Sequence, residues 1–267
     1  MSNYLFLADL VEKLVGTLKY DRNHIQILDI GCGDCQLLSE LRSRNKSVHL
    51  SLYGVDIYTD KERFQRLCHQ NKTINIFNIL PYDDLKKIGD KFDVVVCNQV
   101  LEHVDDAQRL INIASNNLKI NGFFIAGYPT SEIMIEPHLF LPLVHRINGR
   151  LPRKIAINIK FMTAKVFNIG RSSRLQWTER ANFIQDRLTY METQLFYRSK
   201  HEYDIMLSAI GVPINVSYSY INSSRSNTAL DIIKSVLSLI PSKRLKNRIS
   251  QSTFGVYTVT QKCAPQT

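Results

Sequence analysis

With 267 residues the chain has room for one domain with insertions, or a core and a cap, and none for two large domains. Hydrophobic residues at 44% and charged residues at 22% exclude a disordered or fibrous chain, and no apolar run is long enough for a transmembrane span. No secretory leader is legible at the N-terminus, and five scattered cysteines (Cys32, Cys35, Cys68, Cys97 and Cys263) read as reduced thiols, so a cytoplasmic protein is expected despite a net charge of +10.

The spacing of Tyr4, Leu7, Ala8, Val11, Leu14, Val15 and Leu18 predicts an amphipathic helix over 4–18 that packs on a sheet, lies over a ligand, or both. Ile27 to Ile30 reads as a short strand entering the turn Gly31-Cys32-Gly33-Asp34-Cys35, and a helix follows over 36–44. Strand, glycine turn and helix N-terminus together build a nucleotide-type pocket. Gln36 stands where a dinucleotide fingerprint wants its third glycine, and Asp29 would repel a phosphate. A carboxylate at the end of a buried strand also needs a cationic or hydrogen-bonding partner. The ligand that fits carries adenosine at one end and an ammonium near the turn. Cys32 and Cys35 have the spacing of a redox pair, but the glycine turn accounts for both.

A second strand over 49–56 ends at Asp56, a helix covers 60–70, and a third strand over 73–77 ends at Asn78-Ile79-Leu80-Pro81. The nearly all-apolar run Phe92 to Cys97 reads as a strand buried on both faces, followed by a helix over 105–118 and a strand over 122–128. Five strands alternating with helices imply a doubly wound, mostly parallel sheet. The alternation stops at 129–199, after the fifth strand, where a cap or substrate-recognition insertion is expected. Its basic part is conspicuous: residues 144–200 hold twelve Lys or Arg against three Asp or Glu. A helix over 199–210 and strands over 213–221 and 254–261 complete a seven-stranded sheet. The division is thus 1–128 for the cofactor half, 129–199 for the cap and 200–267 for completion of the sheet. Within the last part, residues 228–248 hold an amphipathic helix and a basic cluster. That helix docks on the domain, or lies on an anionic membrane as a peripheral contact.

Asp29-Ile30-Gly31-Cys32-Gly33 resembles the first motif of class I S-adenosylmethionine-dependent methyltransferases, with Cys35 at the third glycine of the fuller form. Val100-Leu101-Glu102-His103-Val104 resembles the subgroup that includes ubiquinone-biosynthesis O-methyltransferases. The resemblance spans roughly residues 25–128 and implies a Rossmann-like methyltransferase fold and S-adenosyl-L-methionine as cofactor. It places Asp29, Gly31, Cys32 and Gly33 around the methionine end, Asp56 on the ribose hydroxyls with Ile57 beside it, Asn78 on the adenine amino group and Ile79 against the base. Asn98 and Gln99 fall beneath the methionine part and methyl group. The alternative for Asp56 is a helix cap or a solvated loop.

His103 is a candidate general base, because a hydroxyl acceptor must lose its proton as the methyl moves; it and Glu102 could equally order the loop. His138 is the second candidate. Glu136, His138 and His145 match no metal motif, and no metal is expected. The Asn/Asp-Pro-Pro-aromatic signature of enzymes that methylate amino groups of bases and glutamine is missing. The reading is therefore O-methylation of a small-molecule, glycan or lipid-linked acceptor of anionic character, such as a phosphorylated one, with Arg146, Arg150, Arg153 and Lys154 as its first contacts. The alternatives are an RNA methyltransferase, against which stands the lack of any appended RNA-binding module, and a methyltransferase-like binding protein without turnover.

Overall fold

The strand Phe92–Asn98 (β3) is buried from Phe92 to Cys97, and its side chains alternate between two separate apolar clusters. That alternation is the signature of a sheet covered on both faces. A computed structural model describes residues 4–18, 24–44, 50–56, 85, 92–136, 138–139, 141–167, 174–214 and 256–263. Around β3 it places Ile25–Ile30 (β1), Leu50–Val55 (β2) and Leu118–Tyr128 (β4), all parallel, then Val256–Lys262 (β8) and Gly211–Ile214 (β7). The order is β2-β1-β3-β4-β8-β7, with β8 antiparallel to both its neighbours.

On one face Ile27, Val94, Val96 and Ile125 meet the helices Tyr4–Leu18 (α1) and Gln36–Arg44 (α2). On the other, Leu28, Val95, Phe124 and Ala126 meet Ala107–Asn117 (α3) and Lys200–Ser208 (α6). Burial of each such side chain contributes roughly 1.5–3 kcal/mol, so the two faces together fix the register. The N-termini of α3 and α6 are set by side chains: Asp106 accepts from Arg109 N at 2.9 Å, and Ser199 and Glu202 form a reciprocal capping box. One of the two buried acids in these strands is paired by a cation. Asp93 is fully buried in β3 and accepts from Gln26 N at 2.8 Å and Lys119 Nζ at 3.0 Å, which offsets its desolvation.

The doubly wound, mostly parallel α/β sheet is as expected, but the described residues contain six of its strands rather than seven. The remaining expected strand, 73–77, lies outside them, as do the helix over 60–70 and the 228–248 segment. β4 begins at Leu118 rather than 122: Leu118 pairs with Phe92, and after an irregular stretch that includes Asn121 in the left-handed region (φ 64°) Phe123 pairs with Val94. Among the described residues no helix is long and apolar enough to cross a membrane.

Between β4 and α6 lie the two-stranded hairpin Ile135–Glu136 (β5) and Leu141–Pro142 (β6), and the helices Arg150–Phe167 (α4) and Arg180–Thr193 (α5). They share a small core of Leu139, Val144, Ile157, Ile184, Leu188 and Met191, separate from the two sheet clusters. The chain grows from β1 to β2 on one side and then crosses to β3 on the other. A crevice therefore opens beyond the C-terminal ends of β1 and β3, between Ile30 and Asn98.

Candidate active site

At the end of β1 the chain turns through Gly31 (φ 74°), Gly33 (φ 49°) and Cys35 (φ 55°). Gly31 N and Cys32 N both donate to Val55 O, at 2.7 and 3.1 Å, which ties the turn to the end of β2. Gly33 N donates to Asp56 Oδ2 at 2.9 Å, so the carboxylate expected on the ribose is oriented by the glycine turn itself. A Cβ on Gly31 would come within 2.1 Å of Val100 Cγ2: glycine is needed for its dihedral and for the approach of the β3 loop. Cys32 and Cys35 are buried free thiols with their sulfurs 3.6 Å apart.

Asp29 is 4% exposed at the mouth of this turn. Burial, reinforced by the charge of Asp56, pushes its carboxyl up to about 8. Burial thus favours the neutral acid, and a cation arriving here would stabilise its ionised form. Across the crevice, β3 ends at Asn98, whose Oδ1 is buried without a hydrogen-bond partner. Gln99 follows in the left-handed region (φ 58°), held there by donation from its N–H to Gly127 O at 2.7 Å. Strain of this kind in a non-glycine residue costs on the order of 1–3 kcal/mol and is typical of ligand clamps. Gly127 has no room for a side chain, since a Cβ would lie 2.4 Å from Asn98 Oδ1. Asp29, Gly31, Cys32, Gly33, Asp56, Asn98 and Gln99 therefore lie together at the C-terminal ends of β1, β2 and β3, while Ile57, Asn78 and Ile79 lie outside the described residues.

Two residues past Val100 the second centre begins. Glu102 is fully buried, and neither carboxylate oxygen has a hydrogen-bond partner. Burial pushes its carboxyl up to about 8. His103 Nδ1 donates to Gln194 O at 2.8 Å, and burial lowers the pKa of its ring, which favours a neutral imidazole. His138 Nδ1 bonds Glu136 Oε1 at 2.7 Å, and the two histidine rings stand edge to face with centroids 4.9 Å apart. Residues distant in sequence thus meet: the two histidines are joined by the 129–199 segment folding back on the β3 loop.

Glu136 anchors that fold-back. It is fully buried and accepts from Tyr197 Oη at 2.6 Å, from His138 N at 3.1 Å and from Leu139 N. Burial alone would raise its pKa; hydrogen bonds from His138 and Tyr197 outweigh it and bring the carboxyl below the usual range. Arg198 locks the same junction, donating through its guanidinium to the carbonyls of Leu101, Val104 and Asp105. Phe196 N adds a bond to Glu102 O at 2.7 Å. Sequence reasoning missed Glu136 as an anchor, and Gln194, Tyr197 and Arg198 altogether. The trio weighed there as a metal set does not assemble: His145 Nε2 bonds Ser131 O at 3.2 Å, and it is Glu102, His103 and His138 whose donor atoms converge, all within 4.8 Å.

A methyltransferase-domain family model matches residues 3–184 of the chain. An uncharacterised methyltransferase of Schizosaccharomyces pombe is 26% identical over 180 residues, 61% of this chain and 62% of that protein. A ubiquinone biosynthesis O-methyltransferase of Rickettsia typhi is 30% identical over 181 residues, 66% of this chain and 70% of its own length. The match therefore leaves more than a third of the fission-yeast protein uncovered. Among solved structures, that of PKMT2 from Rickettsia typhi aligns with a TM-score of 0.50 at 15% identity, over 91% of this chain and 49% of that one, a likeness of fold.

Proposed function

Because the chain belongs to the class I S-adenosylmethionine-dependent methyltransferases, we propose that it methylates a hydroxyl oxygen of a small-molecule, glycan or lipid-linked acceptor with anionic character, bound against the 129–199 segment. The observation that carries the hydroxyl reading is the meeting of His103 and His138 beside the cofactor crevice, three residues from the Val100 side chain that packs on Gly31. The fit of the cofactor rests on Asp29, a buried carboxyl whose ionised form a cation would stabilise, and on Asn98 Oδ1, buried without a hydrogen-bond partner. S-adenosyl-L-methionine, when bound, supplies a methyl group already activated on a sulfonium. The chain's work is to hold, orient and exclude water. Asp29 suits the ammonium end and Asp56 the ribose hydroxyls. Asn98 and Gln99 floor the crevice, and the histidine pair receives the acceptor's proton.

The anionic character rests on charge. α4 carries Arg150, Arg153, Lys154, Lys160 and Lys165 and no acid. Arg146 and Arg153 spend Nε on the carbonyls of Ser131 and Ile147, at 2.9 and 2.8 Å, which makes them partly structural. Lys154 instead lines a cleft of about 500 Å³ between α4 and α5, together with Leu151, Ile155, Trp177 and Arg180. Apolar walls with cationic residues suit an amphiphilic anion such as a phosphorylated lipid-linked sugar.

The test is calorimetric titration with S-adenosylhomocysteine, followed by transfer of labelled methyl to fractionated glycans and glycolipids. Asp56→Ala is expected to weaken S-adenosylhomocysteine binding by roughly 2 kcal/mol, about 30-fold. Unchanged affinity would remove the ribose assignment. The double reversal Arg150→Glu/Lys154→Glu is expected to raise the acceptor's KM about 10-fold and flatten its salt dependence, with cofactor affinity unaltered. Equal KM in both proteins would show that the acceptor bypasses α4.

A further inference from the structure

We infer that the cleft between α4 and α5 binds a nucleoside diphosphate, its base on the Trp177 indole and its phosphates on Lys154 and Arg180, and that the acceptor is a sugar carried on the distal phosphate. The inference rests on the hydroxyl-methylating reading and names the handle by which the acceptor is held. The cleft, about 500 Å³, has the size of a small-molecule site. Leu151, Ile155 and Ile184 would serve any apolar ligand; Trp177 is what singles out a base. It opens the short 3₁₀ turn Trp177–Glu179 ahead of α5 and is 52% exposed. An indole left half in water beside a cleft is a surface that a flat ligand gains by covering. The ring is also held in place. Phe161 meets it edge to face with centroids 5.9 Å apart, and Lys165 Nζ stands 5.8 Å over one face, so the other face is offered to a base. Stacking of this kind needs no particular base, because every base has a π-face.

The polar side of the cleft suits the phosphates. Arg180 Nε donates to Asn158 Oδ1 at 2.7 Å, which sets the plane of the guanidinium and directs its two terminal nitrogens elsewhere, as the fork that pairs with phosphate oxygens. Asn158 keeps its amide nitrogen as a donor, Thr178 lines the same cleft with a hydroxyl, and Lys154 brings a second positive charge. Glu179, the acid of this turn, is spent on Gln176 N. Position joins the cleft to the chemistry. Ten residues of α5 separate Arg180 from Tyr190, about 15 Å at a rise of about 1.5 Å per residue. The Tyr190 ring lies against both His103 and His138, with centroids 6.1 and 5.7 Å away. A base and phosphates at the start of α5 therefore leave the sugar to extend towards the histidines, which take the proton of its hydroxyl. That oxygen forms its bond to the methyl carbon as the carbon–sulfur bond breaks and the electron pair stays on sulfur. The diphosphate is untouched, and the products are a sugar methyl ether and an uncharged thioether.

Trp177 is the chain's only tryptophan, so its fluorescence reports on this cleft alone. The experiment titrates the full chain, saturated with S-adenosylhomocysteine so that the cofactor crevice is closed to nucleotides, with the diphosphates of uridine, thymidine, cytidine, guanosine and adenosine. Inorganic pyrophosphate and dodecyl phosphate are the controls, and indole quenching and calorimetry are the readouts. At least one diphosphate is expected to quench the indole with one-to-one stoichiometry and to bind about 10-fold or more tightly than pyrophosphate. By calorimetry, Trp177→Ala should weaken it about 30-fold and Trp177→Phe less than about fivefold, while Lys154→Glu/Arg180→Glu should weaken it about 100-fold. S-adenosylhomocysteine titration of each variant checks that it is folded. No quenching and no heat with any diphosphate, or equal affinity in folded variants, overturns the inference and leaves the hydroxyl-methylating reading standing. So does dodecyl phosphate binding as tightly as the best diphosphate, which would make the ligand an amphiphilic anion without a base. A single-stranded oligonucleotide bound about 10-fold more tightly than any diphosphate would give the cleft to RNA and likewise overturn it. If a diphosphate binds as described and the matching nucleotide sugars take up no labelled methyl, the nucleotide site stands and the methylation of its sugar falls.

Discussion

Asp29→Asn is expected to make the ligand-free protein more stable at pH 8.5 and to weaken S-adenosylhomocysteine binding by 100-fold or more. Both effects come from one buried carboxyl. Its folded-state pKa stands at about 8 against 3.8 for the free side chain, raised by burial and then by the Asp56 charge. A group whose pKa is raised on folding contributes its stability below the unfolded pKa and loses it as pH rises towards the folded one. The protein should therefore lose stability between about pH 4 and pH 8 through this group, by up to about 6 kcal/mol at 1.36 kcal/mol per unit. Asparagine does not ionise, so the difference between the two proteins in urea unfolding should grow steadily across pH 5, 7 and 8.5. The binding loss has the opposite sign, because an amide cannot offer the ammonium a charge; removing one partner of a buried pair costs roughly 3–5 kcal/mol. Parallel pH profiles for the two proteins would show that Asp29 is not the strained group. Retained affinity would move the ammonium elsewhere.

That such a residue can be picked from sequence follows from how local its signal is. Asp29 ends an apolar strand and precedes a glycine turn within five residues, and the helix Gln36–Arg44 begins where the turn stops. Strand period, turn chemistry and helix start are all readable at that range. Asp56 is legible for the same reason, as an acid closing a strand, and Gly33 N confirms the adjacency of turn and carboxylate. The second centre is different in kind. His103 and His138 were each visible as titratable residues, but their meeting depends on Glu136, Tyr197, Gln194 and Arg198, spread over more than sixty positions. No periodicity links these residues. Glu102 shows the limit most plainly: the sequence offers it only as a residue that orders the loop, whereas the fold buries it completely. An acid buried against its preference is a tertiary fact that local propensity cannot report. The 129–199 segment was expected from the break in alternation, while its two helices and separate small core became visible only in three dimensions.

His103→Ala and His138→Ala are each expected to lower turnover 10²- to 10⁴-fold while leaving S-adenosylhomocysteine affinity within about twofold. The argument is positional. The glycine turn, Asp56, Asn98 and Gln99 are the residues proposed for the cofactor, and neither histidine belongs to that set. Their Nδ1 atoms face Gln194 and Glu136, on the 129–199 segment, so what they offer through Nε2 is offered to an acceptor. If each histidine worked alone, the double variant would multiply the two losses. If they act as one unit, as the 4.9 Å ring separation implies, the double variant should be little worse than either single one. Glu136→Gln extends the series: the amide still accepts from Tyr197 Oη but binds His138 less strongly, so kcat should fall more than KM rises, as for a residue that positions another. Single-turnover rates with labelled S-adenosyl-L-methionine separate these outcomes from slow product release. Multiplicative losses would separate the two rings in function, and near-parental rates in both single variants would leave alignment of the acceptor as the chain's whole contribution to the methyl transfer.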